Sequence, residues 1–102
     1  MEKVTLYIGL NDKAVKHQII DTLEAAKIVQ HIICDYCGGG TVSQATGVYT
    51  HNNGDIVLEN TIKVELFDVA AAAINKTITT LKTVLNQEAI IKQTETVNSE
   101  YC

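Results

Sequence analysis

Apolar and polar residues alternate at the start of the chain, which is the pattern of a strand with one buried face. The residues on its apolar face are Val4, Leu6, Ile8 and Leu10. The polar run at positions 11–13 ends this pattern. Positions 12–20 fit either a short helical turn or an ordered loop. We therefore predict a first strand that ends at position 10.

Two segments carry apolar residues at helical spacing. The first helix is predicted to begin near Asp21, which has capping-box spacing with Glu24, and to end at the glycines of positions 38–40. Its apolar stripe is Leu23, Ala26, Val29, Ile33 and Cys37. The second helix is predicted to take Asp68 as its N-cap and Asn86 as its C-cap. Its stripe is Ile74, Ile78, Leu81 and Leu85.

Alternation and turn residues predict the remaining strands. A second strand covers Thr41–Thr50, and the Asn-Gly sequence within residues 51–55 predicts a hairpin, because it supplies the positive φ of a tight turn. The third strand has one apolar face, formed by Ile56, Leu58, Ile62, Val64 and Leu66. A last strand covers Ala89–Val97, and residues 98–102 form a tail.

The predicted order of elements is β-α-β-β-α-β. Its simplest packing is a single α+β domain over residues 1–102, a ferredoxin-like fold with an antiparallel sheet and two helices on one face. The other face of the sheet, here called the open face, is left without helices. Its predicted members are Thr5, Tyr7, Val57, Glu59, Thr61, Lys63, Glu65 and Phe67. By analogy between folds, we expect this face to bind a ligand or another subunit.

Charge narrows the choice of ligands. The chain has 12 acidic residues against 8 basic ones, all of them lysine, and a net charge of −4. A protein of this charge is a poor candidate for binding DNA, whose recognition depends on a basic surface. No signal peptide or membrane span is predicted. A phosphate-bearing ligand would have to be small and held by few lysines, hydroxyls and backbone N–H groups.

The cysteines predict neither a metal centre nor a disulfide. Three cysteines in a chain without a secretory signal indicate reduced thiols in the cytoplasm. Cys34 and Cys37 form a C-x-x-C pair, but no second pair of ligands at zinc spacing accompanies them. The pair lies at the end of a predicted helix, whereas a redox pair lies at a helix N-terminus. We expect no metal and no cofactor.

Candidate ligand-binding residues come from polar strand ends, exposed aromatic rings and lysine. They are Asn11, Lys13, Tyr36, Tyr49, His51, Lys63 and Asn86. Either Tyr49 or Tyr36 could stack on an adenine ring. His51 could act as the base of a hydrolase, but the simpler interpretation is that it is a residue of an exposed turn. No catalytic triad, acid pair or nucleophile motif is visible, so we expect a binding protein and not an enzyme.

A glycine-rich segment is a candidate for a second ligand site. Its residues are Gly38, Gly39, Gly40 and Thr41, whose backbone N–H groups could hold a phosphate. Phosphate loops run from a strand into a helix, so that the positive end of the helix dipole meets the anion. This segment runs from a helix into a strand, which also fits an ordinary connection.

Four segments of the chain resemble a known family. They are Tyr7-Ile8-Gly9-Leu10-Asn11-Asp12-Lys13, Ala45-Thr46-Gly47-Val48-Tyr49-Thr50-His51 with Gly54, Glu59-Asn60-Thr61-Ile62-Lys63-Val64-Glu65-Leu66, and Leu85-Asn86-Gln87-Glu88. Together they resemble the small bacteriophage proteins of the Thoeris anti-defence type one family. The resemblance spans nearly the whole chain.

The resemblance implies a specific function. Such proteins are sponges, which bind cyclic ADP-ribose isomers made by bacterial TIR-domain immune enzymes and hold them without cleavage. Some relatives also bind cyclic oligonucleotides. They assemble as dimers or trimers of dimers with ligand sites between subunits, and they act in the cytoplasm of the infected bacterium.

Two alternatives remain open from the sequence. A PII-like oligomeric regulator has the same order of elements and binds an adenine nucleotide between subunits, although the connection at residues 51–55 is short for its mobile loop. A small cyclic-nucleotide hydrolase would use His51. Recovery of intact ligand from the heat-denatured protein would separate a sponge from an enzyme.

Overall fold

Four strands and two helices form in the predicted order. A computed structural model describes all 102 residues, with β1 (Glu2–Gly9), α1 (Thr22–Cys37), β2 (Thr41–Thr50), β3 (Ile56–Phe67), α2 (Ala71–Val84) and β4 (Ile91–Thr96). The sheet is antiparallel and has the strand order β2-β3-β1-β4. The predicted α+β ferredoxin-like fold is confirmed. No helix combines the length and the apolar content needed to cross a membrane.

The core lies between the helices and one face of the two central strands. Alternate residues of β1 and β3 supply one side of it, as the sequence pattern predicts, and both helices supply the other. Its 14 buried apolar residues are Val4, Leu6, Ile8, Leu10, Ala25, Ala26, Val29, Ile33, Ile62, Val64, Leu66, Ile74, Leu81 and Leu85. Each buried Leu or Ile contributes roughly 1.5–3 kcal/mol, so this layer supplies most of the stabilisation.

Helix α1 begins and ends where the sequence predicts. The Asp21 carboxylate accepts hydrogen bonds from the backbone N–H groups of Leu23 and Glu24. Gly38 ends the helix at φ 78°, a left-handed conformation that suits glycine. The predicted burial of Leu23 is wrong, since its side chain is 59% exposed. The buried stripe centres on Ala25 and Val29, which leaves Leu23 on the flank of the helix.

Helix α2 differs from the prediction at both ends. Asp68 is not its N-cap; Ala70 takes that position without a side-chain hydrogen bond. Asp68 instead adopts a positive φ of 57° and donates its backbone N–H to the carbonyl of Glu2, so it serves the turn that leaves β3. The C-cap is Leu85, and Asn86 follows it at φ 48°. Strand β4 is also shorter at both ends than predicted.

The β2–β3 hairpin extends beyond the helices. Ile56 and Leu58 share the apolar face of β3 with Ile62, yet they are 71% and 66% exposed while Ile62 is fully buried. The molecule is correspondingly elongated, at 47 × 24 × 22 Å. Residues 12–20 form an ordered loop. An isolated antiparallel β-bridge between Asn11 and Gln18 closes it.

Candidate functional site

A groove of about 410 Å³ crosses the open face of the sheet near the end of β1. Strands β1, β2 and β3 supply most of its walls, and the segment that enters β4 closes one end. The lining residues used below are Tyr7, Gly9, Gly47, Tyr49, Glu59 and Gln87. Larger clefts lie at the two ends of α2. Unlike these two clefts, the open-face groove combines two tyrosines with a carboxylate.

Strand register explains how these residues meet. Side chains opposite each other in an antiparallel pair share a face. Tyr7 lies opposite Lys63, and Gly47 lies opposite Glu59. Odd-numbered residues of β1, β2 and β3 therefore all project from the open face. Successive side chains of a strand point to opposite faces of the sheet. The alternation that buries the core residues on one face therefore also brings the groove residues together on the other.

The Glu59 carboxylate is fixed at the end of β1. Its Oε2 accepts a hydrogen bond of 2.9 Å from the backbone N–H of Asn11. The carboxylate lies directly over Gly9, where a Cβ would be 2.5 Å from both of its oxygens. The ion pairs of the molecule join Lys3 to Glu65 and to Glu95. Glu59 is in neither, so its negative charge faces the groove without a salt-bridge partner.

Aromatic rings flank this charge. The Lys63 Nζ lies 5.8 Å from the centroid of the Tyr7 ring, which places one ammonium group beside the groove. Tyr49 is 44% exposed and meets the His51 ring edge-on, with centroids 5.8 Å apart. An exposed ring on a strand can stack on a flat ligand such as a nucleobase.

Buried polar groups hold the loop that carries the Asn11 N–H. Asp12 is only 6% exposed and accepts hydrogen bonds from the Asn86 side chain and from the backbone N–H groups of Ala14 and Val15. These bonds, that of Asn86 foremost, hold the pKa of Asp12 below its usual value. Gln87 is buried as well and donates its side-chain amide to the carbonyl of Asn11. Together these bonds tie the end of β1 to the end of α2.

The structure brings only some of the predicted site residues together. Tyr49, His51 and Lys63 lie on or beside the open face. Asn11 contributes its backbone and not its side chain. Its neighbours Lys13 and Asn86 line the separate cleft of about 480 Å³ at the C-terminal end of α2.

Tyr36 lies away from these residues. It is on α1, with the Lys76 Nζ 4.7 Å from its ring centroid, in the layer on the opposite side of the sheet from Tyr49. One ligand in the groove does not reach both tyrosines.

The glycines of the proposed second site have structural reasons to be glycine. Gly38 makes the left-handed turn that ends α1. A Cβ on Gly40 would lie 2.7 Å from the Leu66 side chain and 3.0 Å from the Glu65 carbonyl. Thr41 begins β2 opposite Glu65. These contacts account for the segment as a tight connection between helix and strand.

Sequence reasoning did not select three residues that the groove depends on. Gly9 and Glu59 lie within the segments that carry the family resemblance, and Glu59 has its predicted place on the open face, but neither is among the predicted ligand-binding residues. In the sequence, Gln87 follows the predicted C-cap Asn86 and is simply interpreted as part of that polar helix end. A glycine at the end of a strand whose other residues are large was the available signal, because glycine there marks a close approach.

No set of three or more His, Cys, Asp or Glu side chains is arranged to hold a metal ion. All three cysteines are free thiols. The Cys37 Sγ lies 3.3 Å from the Thr77 hydroxyl, between the two helices. Cys37 therefore takes part in the packing of α1 against α2, whereas Cys34 is exposed.

No protein-family model and no curated protein matches this chain. Its fold is shared with solved structures. A phage SAM lyase in complex with S-methyl-5′-thioadenosine superposes with a TM-score of 0.63 at 17% identity, over 92% of this chain and 79% of that one. CutA of the bacterium Xylella fastidiosa superposes with a TM-score of 0.64 at 15% identity, over 97% and 86%. At these identities the likeness is one of fold: the chain has the ferredoxin-like fold of the phage SAM lyase and of CutA.

Proposed function

We propose that this protein binds S-adenosylmethionine (SAM) in the open-face groove and cleaves it to S-methyl-5′-thioadenosine, as a SAM lyase. The observation that carries the proposal is the Glu59 carboxylate, which is held by the Asn11 N–H beside two tyrosines and has no salt-bridge partner in the protein. An unpaired carboxylate in a groove attracts a ligand that brings its own positive charge.

The charges of SAM match the groove. SAM carries a sulfonium and an ammonium group, one carboxylate, and an adenosine. Glu59 and Lys63 both project from the open face of β3, four residues and thus roughly 13 Å apart. Glu59 is suited to the cationic part, Lys63 to the carboxylate and Tyr49 to the adenine. A chain of net charge −4 without arginine also favours such a ligand over one with several phosphates.

Similarity of fold supports the choice of reaction. The phage SAM lyase that shares the fold holds S-methyl-5′-thioadenosine, a ligand with the adenosine and sulfur of SAM. The proposal revises the expectation of a binding protein without catalysis, which arose from the absence of known catalytic motifs.

The reaction needs a positioned substrate more than a reactive side chain. When the bond between sulfur and the methionine γ-carbon breaks, its electron pair goes to sulfur, which becomes the neutral thioether of the product. The γ-carbon forms its new bond to the substrate's own carboxylate oxygen, which closes a lactone and needs no proton transfer. Glu59 stabilises the charged substrate, so its main contribution is binding and orientation.

A second protomer would complete the site. The groove is open to solvent, with Tyr49 44% exposed and Ile91 67% exposed at its walls. A ligand site normally covers most of the surface of its ligand. We therefore retain the expectation of a homo-oligomer, in which a neighbouring copy covers the groove.

Chromatography tests the proposed reaction directly. Purified protein incubated with SAM should release S-methyl-5′-thioadenosine in amounts that exceed the protein. The Glu65→Gln variant, which changes a carboxylate on the same face and strand outside the groove, should keep the activity. Recovery of intact SAM from the wild-type protein would contradict the lyase.

Sequestration of a cyclic ADP-ribose isomer is the second candidate. It is favoured by Lys63, whose ammonium group beside the half-buried Tyr7 ring offers one phosphate contact. The lysines of the other cleft, Lys13 and Lys82, are less suitable. That cleft lies at the C-terminal end of α2, where the helix dipole is negative, and it contains Glu88. A sponge would retain the isomer on a filter and release it intact after heat denaturation, with no turnover of SAM.

A further inference from the structure

The carboxylate of Glu59 lies very close to the backbone of Gly9 in the groove. A Cβ on Gly9 would lie 2.5 Å from the Glu59 Cδ and from both carboxylate oxygens. The carboxylate therefore occupies the space where any other residue at position 9 would carry its side chain. This space lies at the end of β1, two residues before the Asn11 N–H that Glu59 accepts.

Backbone conformation does not explain the glycine. Gly9 does not have a positive φ, and it pairs with Thr61 as an ordinary strand residue. An alanine would adopt this backbone without strain. What alanine would displace is the end of a flexible side chain, which can move at little cost. The glycine thus serves the placement of the carboxylate and not the formation of the strand.

The placement leaves one oxygen for a ligand. Oε2 accepts the Asn11 N–H, whereas Oε1 accepts no hydrogen bond from the protein. A carboxylate already fixed in position loses less conformational freedom when a ligand arrives, so more of its attraction for a cation is realised as affinity. A displaced carboxylate would be both mobile and better solvated.

We propose that Gly9 is a positioning residue that gives the groove its preference for a positively charged ligand over the neutral analogue of the same shape. The inference rests on the proposed function, because it concerns an adenosine ligand in the same groove. Gly9 acts only through Glu59. The ligand class is an adenosine whose 5′ substituent carries a positive charge close to the ribose.

Three ligands that the protein does not cleave separate charge from shape. Sinefungin has a protonated amine in place of the sulfonium, S-adenosylhomocysteine has a neutral thioether, and S-methyl-5′-thioadenosine lacks the amino-acid part. Calorimetry on the wild-type protein should give roughly tenfold to hundredfold tighter binding of sinefungin than of S-adenosylhomocysteine, as expected for a hydrogen bond to a charged group. In Gly9→Ala the two should bind within about threefold, and S-methyl-5′-thioadenosine should bind as it does to the wild type.

Gly47→Ala is the matched control. Gly47 lines the same groove, but the atoms nearest to its Cβ would be the Thr61 hydroxyl at 3.2 Å and the backbone carbonyl oxygen and Cβ of Glu59 at 3.6 and 3.9 Å, and not the Glu59 carboxylate. This variant should change the affinity for all three ligands by the same factor and keep the charge preference. The double variant Gly9→Ala/Glu59→Gln should lose no more preference than Glu59→Gln alone, since both changes act through one group.

The outcomes distinguish the inference from the function. Wild-type protein that binds none of the three ligands overturns the proposed function and the inference with it. Protein that binds all three, with the charge preference intact in Gly9→Ala, overturns the role of Gly9 and leaves the function standing. A preference lost equally in Gly47→Ala also overturns it, because it would show an effect of groove volume.

Discussion

Two glutamates on the open face of β3 are six residues apart and have opposite surroundings. Glu65 is paired with the Lys3 ammonium at 2.9 Å, and this contact holds the pKa of Glu65 below its usual value. Glu59 has no cation within salt-bridge distance and accepts only a backbone N–H. The charge of Glu65 is neutralised by an ion pair within the protein, whereas the charge of Glu59 is left available to a ligand.

The largest effect should come from the unpaired glutamate. In Glu59→Gln the groove loses its negative charge, so formation of S-methyl-5′-thioadenosine from SAM should fall by roughly a hundredfold or more at low substrate concentration. The melting temperature should change little, because the amide can still accept from the Asn11 N–H. Chromatographic initial rates and a thermal melt measure the two quantities. Wild-type rates in this variant would remove Glu59 from the site.

A smaller effect is expected from the exposed tyrosine of the groove. Tyr49→Ala removes the stacking surface for adenine, which is worth roughly 1–3 kcal/mol per base, so affinity for S-methyl-5′-thioadenosine should fall by roughly 5-fold to 150-fold. Tyr36→Ala is the matched change on the helical side of the sheet and should leave affinity unaltered. Calorimetry that finds equal losses in both variants would place the ligand elsewhere.

The buried carboxylate behind the groove should affect stability through pH. The pKa of Asp12 is lowered in the folded state, so its contribution is present above its unfolded pKa of about 3.9 and is lost as the pH falls through the lower folded value. Asp12→Asn should therefore be less stable than the wild type at pH 7. The difference should narrow below about pH 4. Urea denaturation at several pH values tests this, with the exposed Asp35→Asn as control. A gap independent of pH would show that the charge of Asp12 is not involved.

The smallest effect should follow from breaking the paired charges. Lys3→Met removes the partner of Glu65 in a partly exposed pair, and surface pairs contribute little. We expect the melting temperature to fall by a few degrees at most, less in high salt, because salt screens the lost attraction. SAM cleavage should be unchanged. A loss of activity here would mean that the site extends along the whole open face.

Periodicity in the sequence predicts most of the fold. Residues two apart in a strand share a face, and the apolar ones at positions 4, 6, 8 and 10 are all buried. The ends of helix α1 are equally predictable from the sequence, because Asp21 and Gly38 form them through local hydrogen bonds. Local signals were misleading where the chain had to turn: Asp68 has the chemistry of an N-cap but is used for a left-handed turn.

The site depends on contacts that are distant in sequence. Asn11 and Glu59 are separated by 48 residues, and Gln87 bonds to Asn11 across 76. No periodic pattern reports that a carboxylate will lie over a glycine of another strand. The same limit explains why Tyr36 and Tyr49 looked equivalent: both are aromatic and polar, and only the packing of α1 on the opposite side of the sheet separates them.

By itself, then, the amino-acid sequence determined the type and order of the elements, the face of the central strands that is buried, and the net negative charge. Those properties follow from local geometry and from composition. Only the tertiary structure decided which carboxylate is paired and which is not, because that depends on strand register and on the space above Gly9. It likewise decided that Ile56 and Leu58, apolar by pattern, stay exposed beyond the end of the helices.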